Sequence, residues 1–295
     1  MINSKKSVNS TQLIDRNRED NNNGKTRVRP IIAAVRRSKI KLNNPILIAG
    51  LPGPGLVGSI STSHIIEQLH MHQIACVESE FIVPGVIYIG GRIRHPFRLY
   101  SNQEGNVCVL VCEAPIMIHG IHSVLDTVVK WVKDNEVREV IVLEGIPVEG
   151  IPDSSRKPMV LSSDIREDNN DSLYKDDTEE KNDFSSSSSS SSNTTFIAGI
   201  SGGLLSSCLS NGIACKALLI SASSGIPDPE GAAILIESIS NITDNYLLKR
   251  IDARQLREKG AILKRRMIDT IRAVREQQSR EHQEQSPTGG QVIYG

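Results

Sequence analysis

Short apolar runs alternate with amphipathic segments along much of the chain. The runs at 45–50 (PILIAG), 106–114 and 137–144 are typical of buried strands in a parallel sheet. Segments 56–69 and 121–133 carry apolar residues at helical spacing. Because strand and helix alternate, the pattern predicts an α/β fold with a mostly parallel sheet flanked by helices.

The same alternation continues on both sides of these segments. Residues 214–222 (ACKALLISA) predict another buried strand, and 229–239 predict a helix. Residues 86–91 and 97–101 predict a β-hairpin around the polar segment 92–96.

The patterning predicts four consecutive parts of the chain, one of which contains an insertion. Residues 1–30 are expected to be a disordered leader, and 31–245 an α/β core. Within that core, 162–194 hold nine Asp or Glu, three Lys or Arg and eight consecutive serines. Such a segment cannot bury enough apolar area to offset its ordering entropy, so a disordered insertion is expected. One long helix over 246–285 and a flexible tail over 286–295 complete the prediction.

Composition narrows the classes of protein. The chain has 34 Lys and Arg against 34 Asp and Glu, and aromatic residues make up 3%. A balanced charge disfavours nucleic acid and anionic membranes, and few aromatic residues disfavour base-stacking surfaces. No apolar run has the roughly 18 residues of a membrane helix. The five cysteines form no C-x-x-C pair, which favours free thiols in a reducing compartment. We therefore expect a soluble, cytoplasmic protein.

A glycine loop (residues 53–58, GPGLVG) lies between a predicted strand and a predicted helix. Gly53, Gly55 and Gly58 fit the G-x-G-x-x-G pattern of dinucleotide sites, and Glu78 follows at the distance of a ribose-binding acid. Pro54, however, has no N–H to offer a phosphate. The favoured interpretation is a structural turn without a cofactor, and a nucleotide- or nucleoside-binding enzyme remains the alternative.

Residues 199–203 (GISGG) fit the nucleophile-elbow pattern G-x-S-x-G around Ser201. Asp228 follows in the expected order, but the only later histidine is His282, in the charged end of the last predicted helix. A base there is not expected to reach Ser201. No catalytic residue is therefore predicted.

His119 and His122 are spaced like two metal ligands, with Glu113 nearby. No cysteine or carboxylate cluster in the sequence completes a tetrahedral set. No metal site is therefore predicted from sequence. A basic segment at 25–41 leaves one further possibility, a scaffold that contacts phosphate through its leader.

The chain ends in Ile293-Tyr294-Gly295 after the polar segment 286–291. An apolar residue, an aromatic ring and a terminal carboxylate form a compact unit for peptide recognition. The unit matches the hydrophobic–tyrosine–any-residue motif at the C-terminus of proteasome activators.

Four further segments resemble the proteasome assembly chaperone family in its archaeal form. They are 50–58 (GLPGPGLVG), 140–145 (VIVLEG), 199–205 (GISGGLL) and 228–236 (DPEGAAILI). The resemblance implies a non-enzymatic, three-layer α/β fold related in shape to nucleoside phosphorylases. It also implies homo-oligomers that bind the α-subunits of the proteasome core particle as assembly chaperones or ATP-independent activators.

The resemblance also implies roles for the three terminal residues. Ile293 would fill an apolar part of a pocket between two α-subunits, and Tyr294 would supply the ring and hydroxyl that bias the gate. The carboxylate of Gly295 would pair with a pocket lysine. The family has no chemistry to transfer to Gly53, Gly55 or Gly58, which are expected to be structural.

Overall fold

The computed structural model describes five stretches of the chain: 18–20, 26–28, 30–34, 40–163 and 196–284. The predicted tail 286–295 lies outside the described residues, as does the insertion 162–194 except for Ser162 and Ser163.

Twelve strands occur in the described residues. They are β1 (Arg18–Asp20), β2 (Thr26–Val28), β3 (Ile31–Ala34), β4 (Ile46–Gly50), β5 (His72–Glu78), β6 (Ile87–Ile89), β7 (Arg92–Arg94), β8 (Phe97–Ser101), β9 (Val107–Cys112), β10 (Glu139–Val148), β11 (Met159–Ser162) and β12 (Cys215–Ser223). Eight of them form one sheet in the order β11-β12-β10-β4-β9-β8-β5-β3. The four central strands β12, β10, β4 and β9 are parallel, and antiparallel strands flank them on both sides.

The same part of the chain contains five α-helices. They are α1 (Val57–Gln68), α2 (Ile121–Asp134), α3 (Gly199–Ser210), α4 (Pro229–Ile242) and α5 (Arg254–Glu284). Val128 of α2 and Leu204 of α3 pack in one core. Ile65 of α1, Leu235 of α4 and Leu256 of α5 pack in the other. Helices therefore cover both faces of the sheet, which confirms the predicted three-layer α/β class with a C-terminal helix.

The central strands are buried on both faces because both cores press against them. Every residue of β4 and β9 is buried, and Val142 of β10 lies between Ala49 and Ala217 in parallel register. Continuous apolar runs are the expected sequence of such strands. This explains why these strands could be predicted.

The predicted hairpin between 86–91 and 97–101 is wrong. Strand β6 pairs with β7, while β8 joins the main sheet between β9 and β5. Gly90 and Gly91 form the turn with φ of 56° and 75°. Two consecutive left-handed residues suit the twist of a two-residue hairpin turn, so the turn forms at the glycine pair and not at 92–96.

The last helix starts later than predicted. The helix expected over 246–285 begins at Arg254, after a 3₁₀ turn at Leu248–Arg250. Leu248 is buried in the core and holds this turn against the sheet layer. The Arg254 amide donates to Asp252 Oδ1 at 3.0 Å, which satisfies one of the free amides of the first turn.

The predicted disordered leader contains one local pairing. Within residues 1–30, β1 and β2 pair antiparallel, with Arg18 opposite Val28.

All five cysteines lie in the described residues and none of them is in a disulfide. Cys76 is half-buried, and the other four are buried: Cys108, Cys112, Cys208 and Cys215. Burial raises the pKa of both Cys108 and Cys112 to about 12. These two thiols are therefore protonated at neutral pH. Among the described residues, no helix is long and apolar enough to cross a membrane.

Candidate functional site

The glycine loop lies at the carboxyl end of β4, where the chain enters α1. In open parallel sheets this edge is the usual place of ligand sites, where neighbouring strands connect in opposite directions. Here the chain leaves β4 towards β5, β8 and β9, which lie on one side of β4 in the sheet. Strands β10 and β12, which come later in the chain, lie on the other side of β4. The geometry of the loop therefore decides whether a nucleotide fits.

Each glycine of the loop has a steric reason to be glycine. A Cβ on Gly53 would lie 1.7 Å from Glu144 Oε1, and one on Gly58 would lie 2.4 Å from the Leu143 carbonyl. Gly55 has a φ of 63°, in the left-handed region. The loop thus packs directly on the end of β10, and the space that a phosphate would need beside Gly53 holds a carboxylate.

Glu78 does not approach the glycine loop. Its strand β5 is separated from β4 by β9 and β8, a lateral distance of about 14 Å at the usual strand spacing. In a dinucleotide fold, the acid that binds the ribose follows the strand next to the glycine loop. The structure therefore does not assemble the dinucleotide site that the sequence left open.

Glu144 and Ser201 form a buried pair that links the glycine loop to α3. Their exposed fractions are 9% and 2%. The Ser201 hydroxyl donates to Glu144 Oε2, and the Gly145 amide donates to Oε1 at 3.2 Å. Burial raises the pKa of Glu144 from its ordinary 4.5 to about 7, although both hydrogen bonds oppose the rise.

This pair also disfavours the hydrolase interpretation. Ser201 lies in the first turn of α3, its side chain is buried, and its hydroxyl proton is directed to a carboxylate. A nucleophilic serine needs an exposed Oγ and an adjacent base. Glu144 could not be recognised from the sequence as the partner of Ser201, since 57 residues separate the two.

Asp228 closes the other side of the glycine loop. Its amide donates to the Gly55 carbonyl at 2.8 Å, and its Oδ1 accepts from the Gly231 amide at 2.8 Å, which caps α4. Its Oδ2 accepts from Arg156 Nη2 at 2.6 Å. Lys264 of α5 donates to the Pro152 carbonyl at 3.0 Å and so joins the last helix to the same corner.

The histidine pair noted in the sequence does not form a ligand set. The His119 ring packs edge-on against Phe81, with ring centroids 5.4 Å apart, and His122 is exposed on α2. Glu113 binds Arg98 at 2.5 Å. No metal-ligand cluster within the described ranges includes these histidines.

A groove with a volume of about 650 Å³ runs beside the glycine loop. Leu56 lines it from the loop, Ile60 from α1, Pro115 from the segment after β9 and Lys259 from α5, and Pro52 lines it from just before the loop. Its size falls within the range of small-molecule sites.

The hairpin β6–β7 carries a second exposed feature, here called the hairpin surface (Val86, Tyr88 and Ile93). Tyr88 and Ile93 face each other across the hairpin with exposed fractions of 74% and 71%. Contiguous exposed apolar residues of this kind mark interaction sites. The terminal residues Ile293, Tyr294 and Gly295 lie outside the described residues.

The chain matches the model of the PAC2 family over residues 47–270 and belongs to that family. This confirms the family resemblance found at 50–58, 140–145, 199–205 and 228–236. An uncharacterised protein from Methanocaldococcus jannaschii is 27% identical over 224 residues, which cover 74% of this chain and 86% of that protein.

Solved structures share the fold over most of the chain. A protein of unknown function from Thermoplasma acidophilum is 28% identical with a TM-score of 0.61, covering 82% of this chain and 92% of its own. Pyrococcus furiosus PbaA, described as an archaeal homologue of proteasome-assembly chaperone, is 21% identical with a TM-score of 0.64. The match covers 87% of this chain and 98% of PbaA.

Pyrococcus furiosus PbaB is described as an archaeal proteasome activator. It is 20% identical to this chain with a TM-score of 0.62, and the match covers 82% of this chain and 98% of PbaB. PbaA and PbaB thus show that this fold occurs in proteins described in two different relations to the proteasome.

Proposed function

We propose that this protein binds the α-subunits of the proteasome core particle, as an assembly chaperone or an ATP-independent activator, and that it is not an enzyme. The observation that carries the proposal is the shared family and fold: almost the whole of PbaA and of PbaB superposes on this chain. Glu144 and Ser201 are buried and hydrogen-bonded to each other, which supports a structural role for the glycine loop. Because the proposed partner is the proteasome, we infer that the protein acts in the cytoplasm.

The docking element in this proposal is Ile293-Tyr294-Gly295. The 31 residues of α5 span about 46 Å, and eleven residues follow the helix, enough to reach about 36–40 Å when extended. Burial of one isoleucine and one tyrosine contributes about 3–5 kcal/mol before entropy losses. One tail alone therefore binds weakly.

Self-association strengthens such binding, because several tails on one oligomer raise the effective concentration of each. We propose that the hairpin surface contacts a second copy of this chain. A two-stranded hairpin is marginally stable alone, and Tyr88 and Ile93 leave most of their surface uncovered in one protomer. A second copy that packs on them would bury this area and bring the tails together.

The test is binding of the full chain to the cognate core particle and to isolated α-subunits, measured by interferometry. We expect both Tyr294→Ala and deletion of Tyr294 and Gly295 to weaken binding at least about tenfold, which corresponds to 1.4 kcal/mol. The matched control is Val292→Ala, which leaves the three docking residues intact. Equal binding by all variants would refute tail docking, and absence of binding by the full chain would refute the proposed function.

The groove favours one alternative, binding of a nucleotide or nucleoside beside the glycine loop. Its volume suits such a ligand, and Leu56 of the loop lines it. The test is the midpoint of thermal unfolding with NAD, ATP or adenosine. A saturable rise that disappears in Ser63→Trp, which fills the groove, would support the alternative. No rise with any of the three would rule it out for these ligands.

A further inference from the structure

Cys76, Glu78 and His95 form a cluster outside both the glycine loop and the hairpin surface. The ligand atoms of the three side chains all lie within 4.8 Å of one another. Cys76 and His95 are half-buried and Glu78 is exposed. A thiol, a carboxylate and an imidazole are three of the side-chain groups that bind transition metals in proteins.

The fold brings these residues together in two ways. Cys76 and Glu78 are two residues apart on β5, so their side chains project from the same face of the strand. Strand β8 runs antiparallel to β5, with Arg98 opposite Cys76. The residues just before β8 therefore pass beside the end of β5, and His95 is one of them.

The distances suit a tetrahedral cation. Cys76 Sγ lies 3.8 Å from Glu78 Oε1. Metal–sulfur and metal–oxygen bonds of about 2.3 and 2.1 Å at a tetrahedral angle put the two ligand atoms about 3.6 Å apart. The pair thus needs only a small closing movement to hold one ion.

Groups around the cluster orient the His95 ring and neutralise the positive charge of Arg98, which would oppose binding of a cation. His95 Nδ1 lies 3.1 Å from the Phe97 carbonyl oxygen and 3.2 Å from the Phe97 amide nitrogen. A metal-binding histidine donates the proton of one ring nitrogen to such a carbonyl and binds the ion through the other, so this role requires Nδ1 to donate to the Phe97 carbonyl and Nε2 to be the ligand. Arg98, the buried cation opposite Cys76, is neutralised by Glu113 at 2.5 Å.

We propose that Cys76, Glu78 and His95 bind one divalent transition-metal ion, with Zn²⁺ as the preferred ion. A thiolate and an imidazole select zinc over Mg²⁺ and Ca²⁺, which prefer oxygen ligands. Three protein ligands leave the fourth position to water. The ion would tie β5 to the segment that joins the hairpin β6–β7 to β8, and so fix the base of the hairpin.

Burial and the nearby Glu78 carboxylate raise the pKa of the Cys76 thiol to about 11. A bound divalent cation opposes this shift, since a coordinating thiol loses its proton to the metal. Binding at neutral pH is therefore expected to release a proton.

The experiment uses the full chain, stripped of metal with a chelator and titrated with Co²⁺ as a spectroscopic probe. We expect saturation at one equivalent, with thiolate-to-cobalt charge-transfer absorption in the near ultraviolet and the strong visible bands of tetrahedral Co²⁺. Zn²⁺ should displace the cobalt and abolish both signals. Absence of the charge-transfer band at saturating Co²⁺ would overturn the proposal.

Variants assign the ligands. Cys76→Ser should remove the charge-transfer band, and Glu78→Gln and His95→Gln should each weaken binding at least about tenfold, since even residues that only orient a ligand commonly contribute that much. Glu78 is exposed, so its variant tests the site even if Cys76→Ser fails to fold. His72→Gln, an exposed histidine on the same strand, is the matched control. Unchanged binding in both Glu78→Gln and His95→Gln, or loss in His72→Gln, would contradict the assignment.

Discussion

The hydroxyl of Ser201 donates a hydrogen bond to the carboxylate of Glu144, and both residues are buried. The bond joins the first turn of α3 to β10, directly behind Gly53 of the glycine loop. The G-x-S-x-G segment around Ser201 and the glycine loop at Gly53 thus contact the same carboxylate. The carboxylate occupies the space beside Gly53 that a bound phosphate would need. It also accepts the hydroxyl proton of Ser201, the residue that a nucleophile elbow would use for attack.

The Glu144 carboxyl makes stability depend on pH. Its pKa of about 7 in the folded protein lies above the ordinary 4.5, so the folded state holds a proton that the unfolded state has lost between these two values. The free energy of unfolding therefore falls as pH rises from 4.5 to 7, by about 3 kcal/mol in total. Urea unfolding at a series of pH values measures this slope.

Glu144→Gln should remove that part of the slope, because glutamine does not titrate. The exposed Glu149→Gln, a few residues further along the chain, is the control and should keep the slope of the unmodified protein. Parallel pH profiles for the unmodified protein and Glu144→Gln would show that Glu144 keeps an ordinary pKa.

Gly53→Ala should destabilise the protein by about 2 kcal/mol, since the new methyl group would overlap Glu144 Oε1 and push the carboxylate away from the Ser201 hydroxyl and the Gly145 amide. Gly85→Ala is the matched control, because no atom lies within 4 Å of the position that its methyl group would take; its effect should stay below about 0.5 kcal/mol. Midpoints of urea unfolding compare the two. The double variant Gly53→Ala, Glu144→Ala should lose less free energy of unfolding than the two single variants together, because the carboxylate no longer obstructs the methyl group.

Asp228 should contribute through two separable interactions. Asp228→Asn keeps an oxygen for the Gly231 amide but removes the charge beside Arg156, and we expect a loss of about 3 kcal/mol. Asp228→Ala also removes the helix cap and should cost about 1 kcal/mol more. The exposed Asp244→Ala is the control. Equal losses in the two Asp228 variants would show that the cap contributes nothing.

The hairpin surface should control the size of the oligomer. Tyr88→Glu and Ile93→Glu would each place a charge in the proposed contact between copies, so the mass measured by light scattering after gel filtration should fall to that of a single 32.3 kDa chain. Leu209→Glu, which changes an exposed leucine on α3, is the control and should leave the mass unchanged. A monomeric unmodified protein, or an oligomer that survives both hairpin variants, contradicts self-association through this surface.

The sequence predicted the central strands because burial on both faces demands continuous apolar runs, as in β4 and β9. It misplaced the hairpin because Gly90-Gly91 and the polar segment 92–96 both carry turn signals, and only the twist of the strands favours the glycine pair.

Contacts between distant segments could not be predicted in the same way. The pairs Glu144–Ser201 and Cys76–His95 depend on which strands become neighbours, and no local pattern encodes that order. Glu78 shows the converse: its spacing fits a dinucleotide site, yet two strands intervene between β5 and β4. The terminal motif was recognised from residue types alone, and it lies outside the described residues.

The most direct test of the proposed function is peptide hydrolysis by the cognate proteasome, with and without this protein, measured both on the finished core particle and on subunits that are assembling. We expect the full chain to stimulate hydrolysis without ATP or to assist assembly of α-subunits into rings. We also expect the chain lacking Tyr294 and Gly295 to lose this effect and Val292→Ala to retain it. A full chain that neither stimulates hydrolysis nor assists ring assembly, or a truncated chain as active as the full one, would contradict the central claim.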